Sequence, residues 1–288
     1  MITNFGSICI DNVYQVPYFV NPGESLPCLD YQVHPGGKGL NQSLAIAFAG
    51  GQVRHAGKIG EDGVWLKTLM DNAGIDTRLT RIAASPTGHA NIQVTPDGEN
   101  AIVLFGGANR TVTENDVREV LSSSAAGDFL LIQNEISSLP TLIELAAVHG
   151  QRIVFNAAPI TAEVNRYPLD KIELFIVNEV EGAAISGEEE PEMILNRMLE
   201  KFPNSGIVLT LGAEGAIYQD SAQRISQPAS PVTPVDTTGA GDTFIGYFLA
   251  GYSRGDDIDQ CLKLGCDAAA LSVTRQGAAT SIPRLAEL

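Results

Sequence analysis

The stretch Val235-Asp236-Thr237-Thr238-Gly239-Ala240-Gly241-Asp242-Thr243-Phe244 carries the densest chemistry in the chain. Its glycines lack Cβ atoms and let the backbone approach a ligand closely. Phe244, Ile245, Phe248, Leu249 and Tyr252 follow at helical spacing, so a helix opens here. A helix start leaves the N–H groups of its first turn free, and its dipole favours an anion. A phosphate could therefore be held by backbone alone. A carboxylate beside such a site repels phosphate. Asp242 makes sense there as a general base that activates an attacking hydroxyl. The plainer alternative is a glycine-rich turn with an acid in the first helical turn, where acids are common.

Pro35-Gly36-Gly37-Lys38-Gly39-Leu40-Asn41 opens a second helical pattern. It lacks the G-x-x-x-x-G-K-[ST] spacing of a P-loop, and no G-x-G-x-x-G occurs in the chain. The turn could present N–H groups and the Asn41 amide to a sugar hydroxyl, or simply cap a helix beside a solvated Lys38. Asp11 closes Gly6-Ser7-Ile8-Cys9-Ile10-Asp11, at the carboxyl end of a first strand, where ligands bind in open parallel sheets. An Asp there can accept two hydrogen bonds from a vicinal diol, or cap a turn. Glu135 follows the apolar run Phe129–Gln133 in the same geometry. Asn178 and Glu181, three apart after another strand, could hold hydrated Mg²⁺ or form a cap with an exposed acid. Thr210-Leu211-Gly212-Ala213-Glu214-Gly215 joins two strand-like runs, and its glycines either approach a ligand or turn a hairpin. The four histidines show no metal-ligand spacing and read as structural. Cys9, Cys28, Cys261 and Cys266 form no C-x-x-C pair and read as reduced thiols.

Alternating elements must position these groups. Strands are expected at Ile2–Ile10, Val53–Ile59, Phe129–Gln133, Arg152–Asn156, Leu174–Val177 and Gly206–Thr210, with helices at Asn41–Gly50, Val64–Ala73 and Leu139–His149. Strands separated by helices predict a three-layer α/β/α fold with a mainly parallel central sheet. Two segments break the rhythm. Residues 12–34 have no helical period and hold three prolines, and residues 88–106 carry alternating runs around Pro96-Asp97-Gly98, a hairpin signal. Together they predict a small antiparallel β lid over a core of residues 1–11, 35–87 and 107–288. The chain's 288 residues suit one such domain with an appendage. Hydrophobic residues at 44% and charged residues at 18% argue against disorder. The net charge of −16 makes nucleic acid or an anionic membrane a poor partner. With no signal peptide or transmembrane run to read, the cytoplasm is the expected location.

In combination, these motifs resemble the ribokinase, or PfkB, family of sugar kinases. GSICID, GGKGLN, GGAN at 106–109, Asn156, NEVE at 178–181, TLGAEG, DTTGAGDTF and SVTRQGAATSIP at 272–283 fall in family order over nearly the whole chain. DTTGAGDTF is highly specific for the family. The resemblance implies a ribokinase-like fold and transfer of the γ-phosphoryl group of ATP to a primary hydroxyl of a small sugar, with ribose first. A kinase for another sugar or a nucleoside, and a non-enzymatic sugar-binding protein on this scaffold, are the alternatives. Asp242 matches the catalytic base, and the backbone of Thr238, Gly239, Ala240 and Gly241 matches the anion hole. Cys9, Asp11, Gly37, Lys38, Asn41 and Glu135 match positions around the sugar. Asn178, Thr210, Gly212, Ala213, Gly215, Gly241 and Cys266 match the nucleotide site. Asn178 and Glu181 match a pair that organises Mg²⁺ through water. Asp236, Thr238, Ser272, Arg275, Gly277 and Ser281 match a monovalent-cation site that favours K⁺. The lid matches a clasp between two subunits of a homodimer. One residue departs from the pattern: ribokinases usually place Asn where Cys9 stands, and a thiol is a far weaker partner for a hydroxyl.

Overall fold

Val53–Ile59, Phe129–Gln133, Arg152–Asn156 and Gly206–Thr210 form strands at the expected bounds. Side chains on such strands alternate between two apolar cores. Phe129, Leu131 and Val154 enter one core, while Leu130, Ile132, Ile153 and Phe155 enter the other. A strand buried on both faces needs helices on both, which is why the runs are continuously apolar.

The computed structural model describes all residues, 1–288. In chain order the elements are β1 (Ile2–Phe5), β2 (Cys9–Gln15), β3 (Asp30–Gly36), α1 (Lys38–Phe48), β4 (Val53–Ile59), α2 (Val64–Asn72) and β5 (Asp76–Ile82). Then come β6 (Gly88–Val94), β7 (Asn100–Phe105), α3 (Glu114–Ser122), β8 (Phe129–Gln133), α4 (Leu139–Val148) and β9 (Arg152–Asn156). The last part holds β10 (Leu174–Asn178), α5 (Glu179–Ser186), α6 (Pro191–Lys201), β11 (Gly206–Thr210), β12 (Ala216–Gln219), β13 (Arg224–Gln227), α7 (Ala240–Arg254) and α8 (Ile258–Ser272).

Nine strands form the central sheet in the order β13-β12-β11-β10-β9-β8-β1-β4-β5. All pairs are parallel except β11–β12 and β12–β13 at one edge. Helices α1, α2, α7 and α8 bury their apolar faces in one core, and α3 to α6 bury theirs in the other. No helix is long and apolar enough to cross a membrane. The other four strands form a separate sheet in the order β3-β2-β6-β7. Its two outer pairs are antiparallel, and they join along a parallel seam in which Cys9 faces Gly88 and Gln15 faces Val94.

The expected first strand, Ile2–Ile10, is two strands. The chain leaves the central sheet after Phe5 and enters the second sheet at Cys9. Asn109 holds the break: its Oδ1 accepts from the Ile8 N–H (3.1 Å) and its Nδ2 donates to the Ile8 carbonyl (2.9 Å). Gly6 permits the next feature. A Cβ there would stand 2.7 Å from the Gly39 Cα, so the turn before α1 packs backbone to backbone on this break.

Candidate active site

β1 and β8 are neighbours from which the chain leaves in different directions, so a crevice opens at their carboxyl ends. Ser7 and Glu135 meet in it, the Ser7 hydroxyl donating to Glu135 Oε2. The same oxygen accepts from the Lys38 N–H (3.1 Å), and Ser7 Oγ accepts from the Gly39 N–H (3.3 Å). The free N–H groups that open α1 are therefore satisfied by a carboxylate and a hydroxyl, and the Glu135 charge lies at the positive end of the helix. Asp11 is largely buried nearby. Burial, reinforced by the charge of Glu135, pushes its carboxyl up to about 6. Burial and the same two acids also push the Cys9 thiol far up, so Cys9 stays protonated. Its sulfur accepts from Asn109 Nδ2 at 3.4 Å.

Asp242 sits in the first turn of α7 and is 7% exposed. Its Oδ2 accepts from Asn41 Nδ2 (3.0 Å) and its Oδ1 from Gln42 Nε2 (2.8 Å). The side-chain Oδ1 of Asn41 is buried without a partner, one acceptor aimed at nothing in the chain. In the preceding turn, the Thr238 N–H bonds Asp236 Oδ1 (2.9 Å) and the Ala240 N–H bonds the Thr237 carbonyl (3.2 Å). The N–H groups of Gly239 and Gly241 have no such partner, so the backbone anion site expected over Thr238–Gly241 narrows to these glycines. Gly239 has φ 76°, and a Cβ there would stand 2.9 Å from the Ala278 Cβ. A side chain at that turn would be strained and crowded.

Two cavities share this turn. One, of ≈ 350 Å³, is lined by Thr210, Gly212, Ala213, Gly215, Pro231, Val232, Pro234, Phe244, Cys266, Ala269, Ala270 and Val273, a largely apolar slot. The other, of ≈ 210 Å³, is lined by Lys38, Asn156, Asn178, Glu181, Thr210, Gly239, Gly241 and Asp242. Lys38 thus turns its ammonium toward acids. Asp242 first, then Glu135 and Glu181, hold its pKa above the usual lysine range despite burial. A slot for a flat apolar group beside a polar chamber with one lysine, a helix start and acids suits a nucleotide and its phosphates.

Asn178 and Glu181 form a reciprocal cap on α5. Asn178 Oδ1 accepts from the Glu181 N–H (2.9 Å), and Glu181 Oε2 accepts from the Asn178 N–H (3.1 Å). Glu181 is 6% exposed, so the acid is not the exposed one that a plain cap predicts; burial raises its pKa. Its oxygens already hold N–H donors but border the polar chamber, which fits contact with a hydrated Mg²⁺ rather than direct ligation. Asp236 Oδ2 accepts from the Gly277 N–H (2.8 Å), tying the turn before α7 to the segment after α8. Burial raises the Asp236 pKa, but the Thr238 and Gly277 N–H bonds outweigh it and leave the carboxyl below its ordinary value. Ser281 donates its hydroxyl proton to the Ala278 carbonyl (2.9 Å), which keeps the oxygen's lone pairs available. Such oxygen donors suit a hard monovalent cation. Ser272 is buried, with its hydroxyl turned back to the Ala269 carbonyl (2.8 Å), and the Arg275 guanidinium pairs with Glu287 (2.7 Å). Ser272 thus spends its hydroxyl proton as Ser281 does and keeps its lone pairs, whereas Arg275 can offer only its backbone carbonyl.

Most of the expected residues therefore converge on one crevice and two cavities. Gly215 has a reason unrelated to any ligand: a Cβ there would lie 2.0 Å from the Gln227 carbonyl. The Gly37 turn (φ 92°) likewise serves close packing, with a built Cβ 2.9 Å from the Cys9 nitrogen. Sequence reasoning missed Ser7, Gln42, Asn109 and Gln133 as members of the site. Only Gln42 left a usable signal. Asn41, Gln42 and Ser43 are consecutive on a helix, so they span too much of its circumference to avoid the core.

Residues 1–285 match the model of the pfkB family of carbohydrate kinases. The chain is 36% identical to a ribokinase of Haemophilus influenzae over 98% of its own length and 95% of that protein's. Among solved structures, a ribokinase of Cryptococcus neoformans in complex with ADP superposes with a TM-score of 0.87 at 33% identity, covering 99% of this chain and 98% of that one. An Arabidopsis thaliana ribokinase complexed with ribose and ATP superposes with a TM-score of 0.86 at 27% identity, covering 98% and 95%.

Proposed function

Because the chain belongs to the pfkB family of carbohydrate kinases, we propose that it transfers the γ-phosphoryl group of ATP to the primary hydroxyl of a small sugar, with ribose as the preferred acceptor. The observation that carries this reading is the Asp242 carboxylate, held by Asn41 and Gln42 at the start of α7 between the polar chamber and α1.

The adenine occupies the apolar slot, with Cys266 beside it, and the phosphates run past Thr210 toward the glycine turn. Asp11, the unpartnered Asn41 Oδ1 and Glu135 receive sugar hydroxyls, and Cys9 borders them. Asp242 then takes the proton of the primary hydroxyl as its oxygen forms the new bond to phosphorus. The bond from that phosphorus to the β-phosphate oxygen breaks, and ADP departs with the electron pair. The Gly239 and Gly241 N–H groups and the Lys38 ammonium face the charge on the moving phosphoryl group. Asn178 and Glu181 would hold Mg²⁺ through water, and the metal would supply charge neutralisation on the phosphates. Asp236, the Ser272 and Ser281 hydroxyls and the carbonyls of Thr238, Arg275 and Gly277 would hold K⁺, whose charge would steady the turn before α7.

The second sheet covers the sugar and excludes water that would otherwise accept the phosphoryl group. Its strand β7 leaves an open edge and exposes Val103 (68%) and Leu104 (71%). A second copy of the chain, clasped there about a two-fold axis, would cover that surface. Nucleotide chemistry and four free thiols suit the cytoplasm.

The test is ADP release with ATP and a panel of ribose, deoxyribose, fructose and nucleosides, with and without Mg²⁺ and K⁺. Turnover is expected with ribose, to depend on Mg²⁺ and to rise with K⁺. No release with any acceptor would point instead to a sugar-binding protein on this scaffold.

A further inference from the structure

Gln42 is fully buried, and three of its four hydrogen-bonding positions join it to two side-chain amides and the Asp242 carboxylate. Gln133 Nε2 donates to Gln42 Oε1 (2.7 Å) and to Asn4 Oδ1 (2.9 Å). Gln42 Nε2 in turn donates to Asp242 Oδ1 (2.8 Å) and to Asn156 Oδ1 (3.2 Å). Asn4 is itself fixed by donation to the Gly39 carbonyl (2.8 Å) and to Ser43 Oγ (2.9 Å). The direction of this chain matters. An amide can turn either its N–H₂ or its oxygen toward a neighbour. Because Gln133 donates to the Gln42 oxygen, the Gln42 N–H₂ must face the carboxylate. The polarity is set by Gln133 at the end of β8 and by Asn4 on β1.

From this we infer that Gln42 is a positioning residue for the kinase reaction, oriented by Gln133 and Asn4. It fixes the rotamer of Asp242 and leaves a lone pair of the carboxylate aimed at the acceptor hydroxyl. The inference rests on Asp242 being the base. Asn41 holds the other oxygen but also faces the sugar, whereas Gln42 touches neither substrate in the proposed arrangement. The charged groups facing Asp242 are Lys38 from α1 and Glu181 from α5. Both stay in place when Gln42 is changed, so an effect of the change isolates the amide.

Two variants test this, Gln42→Met and Gln42→Glu, with Asp242→Asn measured beside them. Steady-state kinetics are taken from pH 5 to 9, and melting temperature is followed. Gln42→Met is expected to lower kcat about 10- to 100-fold, as misplacement of a base by a fraction of an ångström does. Its KM values for sugar and ATP should stay within about threefold, and the acid limb of its kcat profile should move up as a donor to the carboxylate is lost. Gln42→Glu keeps the size and the bond from Gln133, so it carries the test even if the apolar variant does not fold. The introduced acid should move the acid limb further up, because two adjacent carboxyls share a proton. A lower melting temperature with unchanged kcat and an unmoved acid limb in folded protein, while Asp242→Asn is inactive, overturns the positioning role and leaves the base standing. An active Asp242→Asn overturns the reading beneath it.

Discussion

Asp11 carries a carboxyl raised to about 6 by burial and by the charge of Glu135, although Asp11 lies on β2 of the second sheet and Glu135 in the turn after β8 of the central sheet. The crevice concentrates negative charge before any sugar arrives. Hydroxyl donors from a sugar would replace the lost water around that charge.

A stability consequence follows from the sign of this shift. The folded state holds the Asp11 proton up to about pH 6, whereas the unfolded chain releases it near 4. Asp11 therefore favours the folded state below pH 4, and that contribution is lost as pH rises through 6. Asp11→Asn should raise the stability of the sugar-free protein at pH 7 by about 1–3 kcal/mol and leave it little changed at pH 4. It should also raise the sugar KM at least about tenfold by removing a charged acceptor. Denaturant melts at the two pH values check the first, and kinetics the second. A variant less stable than wild type at pH 7 contradicts the assignment.

Cys9 offers sugar hydroxyls only a weak partner, and Asn109 already donates to its sulfur. Cys9→Asn restores an amide beside Asp11 and should lower the KM for ribose by about three- to tenfold, the worth of one neutral hydrogen bond. A parallel gain for deoxyribose would identify the missing contact as one that does not involve the 2-hydroxyl. An unchanged KM for both sugars places Cys9 outside the sugar's reach.

The proposed dimer depends on the exposed apolar edge of the second sheet. Leu104→Asp should convert a dimer to a monomer by size-exclusion chromatography with light scattering. The cost to monomer stability should be within about 0.5 kcal/mol, because Leu104 is already exposed. The same mass for both proteins contradicts a clasp through this strand.

The central strands were legible because burial on both faces demands an unbroken apolar run, as in Phe129–Gln133. The same logic hid the break after Phe5. Ile8 and Ile10 prolong the apolar pattern, and only the contact with Asn109 and Gly39 shows where the chain changes sheet. Residues 12–34 were read as part of the β lid, but the bounds of β2 and β3 were not legible, because they lie in a sheet exposed on much of both faces, which imposes no clean alternation. In the site, glycine turns and acids after strands were readable because local geometry demands them. Ser7 and Gln133 were not, since their side-chain partners lie 91 to 129 residues away. Gly215 lines the apolar slot, and a neighbouring carbonyl gives it a second reason to be glycine.

The most direct test of the account is Asp242→Asn, assayed for phosphoryl transfer and for ATP binding by calorimetry. The side chain keeps its size, so the turn and both cavities should persist. Turnover should fall about 10²- to 10⁴-fold, the worth of a positioned base, while ATP affinity stays within about threefold of wild type. Turnover within about tenfold of wild type would contradict the assignment of Asp242 as the base.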